Sequence, residues 1–313
     1  MCDEDTVKDN AAYLKQTSVN QTSELSTPIT RRRFAGLTTA VAGLTACASP
    51  SITSPSIASP SNSSASPLIE TDVTVTTPDG EADCFFVHPT EGKHPAVIVW
   101  PDVLGLRPAY RLMGARLATA GYAVLVVNPY YRQAKSPVVE PGASFQDPAV
   151  REHVIGFART LSPTTNVTDA KAFVAYLDAQ DSVDKNRKIG TTGYCMGGSM
   201  TMRTAAALPD RIGAGASFHG GRLVTDAPDS PHLLIDSMQA RFLFAIAQND
   251  DERDPAVKGV LQKTFDNAGL QAEVEVYEGA LHGWCALDSQ VYNEPQAEKA
   301  WERLTTIFGE ALS

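Results

Sequence analysis

Three short stretches of the chain are continuously apolar: Ala96-Val97-Ile98-Val99-Trp100, Ala123-Val124-Leu125-Val126-Val127 and Phe242-Leu243-Phe244-Ala245-Ile246. Runs of this length, rich in β-branched residues and without polar alternation, suit central parallel strands buried on both faces. Between the first two, Pro108 is placed for a first helical turn, and Tyr110, Met113 and Leu117 follow on one helical face. A second amphipathic helix is predicted through Val167, Ala170, Val174 and Leu177. It is followed by a strand over 188–192 and an Ala/Met-rich helix over 199–208. The alternation continues to a last strand over 274–277 and a last helix over 294–312. Strand and helix in regular alternation imply a largely parallel sheet covered by helices on both faces, an α/β fold. From about residue 68 to residue 313 neither an internal repeat nor a second linker interrupts this pattern, so one domain is expected. The stretch 130–165, rich in Pro, Gly and Ser, is too polar for core and is expected to arch over a site.

The first 67 residues break the pattern. After a polar opening comes Thr30-Arg31-Arg32-Arg33-Phe34, an apolar run to Ala46 too short to span a bilayer, and then small residues. This is the layout of a signal peptide over 1–47. The arginine run resembles the twin-arginine signal of proteins exported already folded. Leu44-Thr45-Ala46-Cys47 resembles a lipobox, in which Cys47 would be lipidated and become the first mature residue. Residues 48–67, all uncharged and dominated by Ser, Pro and Ala, cannot offset the entropy of ordering and are expected to form a disordered tether. Export to the periplasm or cell surface is the expectation, with membrane association only through the signal peptide or a lipid anchor.

Composition narrows the function. A net charge of −10 over 313 residues, with no basic patch beyond Arg31 to Arg33, argues against nucleic-acid binding. Five cysteines without CxxC spacing make neither a disulfide scaffold nor a zinc site. No metal or organic cofactor is implied, and a monomer acting on a small molecule is expected.

The chemistry concentrates in Gly193-Tyr194-Cys195-Met196-Gly197, a G-x-C-x-G placed between a predicted strand and a predicted helix. In a nucleophile elbow the chain turns so tightly that the residues two before and two after the nucleophile must be small. Cys195 is thus the candidate nucleophile, and the Met196 amide, at the helix start, is a candidate oxyanion donor. In folds of this kind an acid and then a histidine follow the nucleophile along the chain. Asp250 stands directly after the strand 242–246, at the carboxyl edge where catalytic groups of open α/β sheets gather. Asp251 and Asp254 are its neighbours. His282 lies just past the last strand and is preferred to His232, which sits in a Pro- and Asp-bearing loop. His219 ends another predicted strand at the same edge and is a candidate pocket residue.

Gly193 to Gly198, the Gln248-Asn249-Asp250 strand end and Leu281-His282-Gly283 together resemble the dienelactone hydrolase family of the α/β-hydrolase superfamily. The resemblance extends over roughly residues 70–313. It implies a three-layer α/β-hydrolase fold and a Cys195-Asp250-His282 triad. It also implies that the carboxylate at position 102, within Trp100-Pro101-Asp102-Val103-Leu104-Gly105-Leu106, pairs with the cysteine and helps form the thiolate when substrate arrives, and that the Val103 amide completes the oxyanion hole. Arg132 matches the first of two arginines that hold a substrate carboxylate in the family. Two departures stand out: Asp102 is one methylene shorter than the family's glutamate, and Ala286 occupies the place of the second arginine. The resulting expectation is an exported hydrolase of esters or lactones working through an acyl-enzyme. The competing readings are a non-catalytic tethered binding protein on the same fold and a broad-specificity esterase or thioesterase.

Overall fold

A computed structural model describes residues 67–313; the expected signal segment with Cys47 and the tether, apart from its last residue, lie outside the described residues. Eight strands form one sheet: β1 (Leu68–Thr77), β2 (Gly80–Pro89), β3 (Ala96–Trp100), β4 (Ala123–Val127), β5 (Ile189–Tyr194), β6 (Ile212–Phe218), β7 (Arg241–Ala247) and β8 (Ala272–Tyr277). Their spatial order is β1-β2-β4-β3-β5-β6-β7-β8. The first two pairings are antiparallel and every pairing from β4 to β8 is parallel. Helices α1 (Pro108–Thr119), α2 (Pro148–Ala158), α3 (Pro163–Asp178), α4 (Met196–Ala207), α5 (Gln248–Arg253), α6 (Ala256–Asn267) and α7 (Glu294–Ala311) connect the strands, with a 3-10 helix at Pro231–Ser237.

The continuous apolar runs are buried from end to end, and each strand divides its side chains between two cores. Ile98, Trp100, Leu125, Phe242 and Phe244 pack with Phe173 and Leu177 of α3, Met202 of α4 and Phe265 of α6. Val97, Val99, Val124, Val126 and Leu243 pack on the opposite face with Tyr110 and Leu117 of α1 and Leu304 and Phe308 of α7. Successive side chains of a strand point to opposite faces, so a strand covered on both sides favours apolar residues at every position. This is the three-layer α/β-hydrolase arrangement.

Helix starts follow local chemistry. Asp147 accepts from the Ala149 amide ahead of α2, Ser162 and Thr165 form a reciprocal capping box ahead of α3, and Asn293 caps α7, each with proline in the first turn. The stretch 130–165, expected as one arching loop, therefore contains α2 and the start of α3. Its segment Gly142 to Gln146 does border the cavity over Cys195. Because β3 lies between β4 and β5, the connections from β3 and β5 diverge at their carboxyl ends and open a crevice there, the switch point of an open α/β sheet.

Candidate active site

Five of the parallel strands deliver the site from one edge: Asp102 and Val103 after β3, Cys195 after β5, His219 after β6, Asp250 after β7 and His282 after β8. The turn at Cys195 is as tight as the glycine pattern requires. A Cβ on Gly193 would lie 2.0 Å from the Gly197 carbonyl oxygen, and one on Gly197 would lie 2.3 Å from that of Trp100. Cys195 itself takes φ 54° and ψ −115°, a conformation L-residues rarely hold, and its backbone is pinned by the neighbouring strand. Its N–H donates to the Phe218 carbonyl and its carbonyl accepts from the amides of Gly198 and Gly221, each at 3.1 Å. The only other non-glycine residues with positive φ among the described residues are His219 and Arg222, on the loop that holds this turn.

His282 is buried, and its Nδ1 stands 2.7 Å from Asp250 Oδ2. Two further bonds tie the His282 loop to the turn after β7. The His282 amide donates to Asn249 Oδ1 at 2.9 Å, and the Gln248 amide donates to the Ala280 carbonyl at 2.9 Å. The imidazole also makes hydrogen-bond contact with the Cys195 thiol. Burial disfavours its charged form, but the Asp250 carboxylate and then a Cys195 thiolate outweigh burial and raise the pKa to about 10. In return, and against its own burial, Asp250 is held below the usual carboxylate range by His282. The site therefore favours a protonated imidazole held between the Asp250 carboxylate and the Cys195 side chain.

His219 is 1% exposed, and neither ring nitrogen has a hydrogen-bond partner. Its ring centroid lies 4.8 Å from that of His282 and 5.2 Å from that of Trp284. Burial, reinforced by the charge on His282, lowers its pKa to about 3, so it stays neutral beside the imidazolium. It lines the cavity as expected, together with Asp102, Val103, Cys195 and His282.

Of the remaining expected site residues, one is engaged by a neighbouring arginine and the other needs correction. Asp102 lines the cavity, but both its oxygens are engaged by Arg107, at 2.6 Å to Nη1 and 2.9 Å to Nη2, and Oδ1 also accepts from the Leu104 amide at 2.9 Å. Arg107 is buried and spans to Asp288 as well, at 2.7 Å from Nε. Asp102 thus braces the loop after β3 in the substrate-free structure, and a role toward the Cys195 thiol would require its release from Arg107. Arg132 does not line the cavity at all. Its guanidinium is bidentate to the buried Asp169, at 2.6 and 2.9 Å, and also binds Asp79 at 2.7 Å. Arg132 is a structural cation that neutralises a buried carboxylate, not a substrate clamp.

Tyr130 escaped the sequence reading. Its hydroxyl donates to the Val103 carbonyl at 2.9 Å and lies 3.3 Å from Met196 Sδ, so one ring spans the two residues expected to supply oxyanion donors. Neither the Val103 nor the Met196 amide donates a hydrogen bond among the described residues, and as the first residue of α4 Met196 has no intrahelical acceptor. No group of three metal-ligating side chains occurs among the described residues.

Comparison with known proteins agrees with this architecture. The chain matches the model of the dienelactone hydrolase family over residues 82–312. It is 26% identical over 227 residues to a carboxymethylenebutenolidase of Rhodococcus opacus, an overlap covering 71% of this chain and 83% of the relative. A dienelactone hydrolase-like promiscuous phosphotriesterase from metagenomic libraries superposes with a TM-score of 0.65 at 20% identity, over 79% of this chain and 99% of that one. The dienelactone hydrolase of Anabaena variabilis gives 0.56 at 18% identity over the same shares of the two chains. The fold and the extent of the family match lead to one conclusion: the chain belongs to the dienelactone hydrolase family, and it is an α/β-hydrolase acting on esters or lactones.

Proposed function

We propose that this hydrolase works through Cys195, His282 and Asp250 by an acyl-enzyme route, on an ester or lactone carbonyl. The observation that carries the reading is the contact chain from the Cys195 thiol to His282, and from His282 Nδ1 to Asp250 at 2.7 Å. The thiolate attacks the carbonyl carbon, and the negative oxygen that forms is received by the Val103 and Met196 amides. Collapse breaks the C–O bond, and His282 gives its proton to the departing alkoxide. Water, deprotonated by His282, then attacks the thioester; the carbonyl re-forms as the thiolate leaves and the acid is released. Asp250 holds the imidazole in orientation and balances its charge. Uncommitted amides at Val103 and Met196 and the Tyr130 bridge between these residues support the oxyanion assignment.

Arg107 and Asp102 keep the loop after β3 in place, and neutral His219 forms a wall that does not compete for the proton on His282. The Arg31 to Arg33 run, Cys47 and the uncharged tether support export and lipid anchoring of a small-molecule hydrolase outside the cytoplasm. The full chain should hydrolyse a panel of activated esters and simple lactones, with Cys195→Ala as the control. Equal rates for the two proteins would remove Cys195 from the mechanism. Replacing Arg31 and Arg32 by lysine should trap precursor in the cytoplasm, and normal secretion would contradict the twin-arginine assignment. Cys47→Ala should abolish lipidation and processing at that position, and an unlipidated wild-type mass would contradict anchoring.

A further inference from the structure

A second cavity, of about 260 Å³ against about 100 Å³ for the one over Cys195, lies among α3, α4 and the loop after β6. Its lining includes Asn166, Met196, Arg203 and Arg222. Asn166 is 3% exposed, and neither its Nδ2 nor its Oδ1 has a hydrogen-bond partner. An amide buried in this way is costly unless something in the cavity both accepts from it and donates to it. Half-buried Arg203 and exposed Arg222 make no hydrogen bond or ion pair among the described residues. This contrasts with Arg107 and Arg132, whose guanidinium groups are fully committed to carboxylates. Asp229 also lines the cavity but is exposed, so the two arginines leave it with a positive excess.

We propose that this cavity binds a hydroxycarboxylate, its carboxylate held by Arg203 and Arg222 and its hydroxyl paired with the Asn166 amide. Guanidinium groups match the geometry of a carboxylate, and an unpaired amide carbonyl calls for a donor that a simple carboxylate lacks. Burial depresses the Arg203 pKa and Arg222 adds to this against Asp229, a repulsion that a bound anion relieves. The cavity adjoins the nucleophile turn: Met196 follows Cys195 directly, and Gly221, also in the lining, donates to the Cys195 carbonyl. Hydrolysis of a lactone adds water across the ring C–O bond and yields a hydroxycarboxylate. The link to product rests on the function proposed above; the binding does not.

The test is calorimetric titration of the full chain carrying Cys195→Ala, which cannot turn over, with 4-hydroxybutyrate, butyrate and inorganic phosphate. Saturable binding of 4-hydroxybutyrate is expected, tighter than butyrate by about threefold to tenfold, the worth of one neutral hydrogen bond. Arg203→Gln and Arg222→Gln should each weaken it at least about tenfold. Asn166→Leu, with its thermal melting checked, should erase the preference for the hydroxyl. Because Arg222 is exposed, Arg222→Gln keeps its fold, and unchanged affinity in that variant overturns the site. Saturation by phosphate alone overturns it too. A wild-type chain that hydrolyses esters while the Cys195→Ala chain shows no binding overturns this site and spares the hydrolase reading; binding without hydrolysis does the reverse.

Discussion

Asp250→Asn keeps the shape of the side chain behind His282 and removes its charge. The His282 pKa rises from 6.5 to about 10 in the folded protein, with burial opposing the rise and the charges on Asp250 and then Cys195 producing it. At about 1.36 kcal/mol per pH unit, that rise is worth about 5 kcal/mol of preference for the imidazolium. Asp250 is the larger of the two favourable charges, so the variant brings His282 down toward its ordinary value. The proton needed for the leaving alkoxide is then held less firmly, and the tautomer of the ring is no longer enforced. A fall in kcat/KM of about 10² to 10⁴ at neutral pH is expected. The assay is pH-stat hydrolysis of a simple alkyl ester, whose alkoxide needs the proton, across the pH range, with iodoacetamide alkylation of the thiol followed in parallel. Wild-type activity should decline only as pH rises through about 10. In the variant this alkaline limb should move to lower pH. A rate within about threefold of wild type, with the limb unmoved, would refute the electrostatic role given to Asp250.

Three further outcomes follow from the geometry. Arg132→Met strands the buried Asp169 carboxylate and should cost about 3 to 5 kcal/mol, a drop in Tm of roughly 10 °C, with ester hydrolysis per folded molecule unchanged. Lost activity at an unaltered Tm would instead return Arg132 to the substrate. Tyr130→Phe should lower kcat about threefold to tenfold at nearly constant KM, since the lost bond to Val103 shapes a group used only as charge develops; an unchanged kcat would separate Tyr130 from the oxyanion donors. His219 has its pKa lowered from 6.5 to about 3 by burial and then by His282, so between those values the unfolded chain holds a proton that the folded chain does not. Stability is therefore lost as pH falls through this window, and His219→Phe should recover about 2 kcal/mol of the loss between about pH 6.5 and 5, read by urea denaturation. Identical acid sensitivity in both proteins would show that folded His219 takes up the proton.

What could be read from the sequence was what local pattern encodes. β3, β4 and β7 were legible because strands buried on both faces favour apolar residues at every position, and the Cys195 turn because steric contact demands its glycines. β1 was not anticipated: it is an edge strand whose Leu68–Thr77 sequence is mostly exposed. α4 begins at Met196, three residues before the expected start, because Cys195 itself serves as the residue ahead of the helix. Asp250 and His282 were legible as strand-end groups of the right type in the right order. Partners were not. Arg132 meets Asp79 and Asp169, 53 and 37 residues away, and Arg107 meets Asp288 across 181 residues, pairings that only the assembled fold decides. The sheet brings Tyr130, at the end of β4, under both Val103 and Met196, and nothing near it in sequence signals this.

The central claim is that Cys195 carries the acyl group. Brief reaction of the full chain with a slowly released ester, followed by acid quench and mass spectrometry of its peptides, tests it most directly. The account predicts one acyl adduct, on the peptide containing Cys195, which decays at the rate of steady-state turnover and is absent from Cys195→Ala. An adduct on another residue, or undiminished turnover by Cys195→Ala, would contradict it.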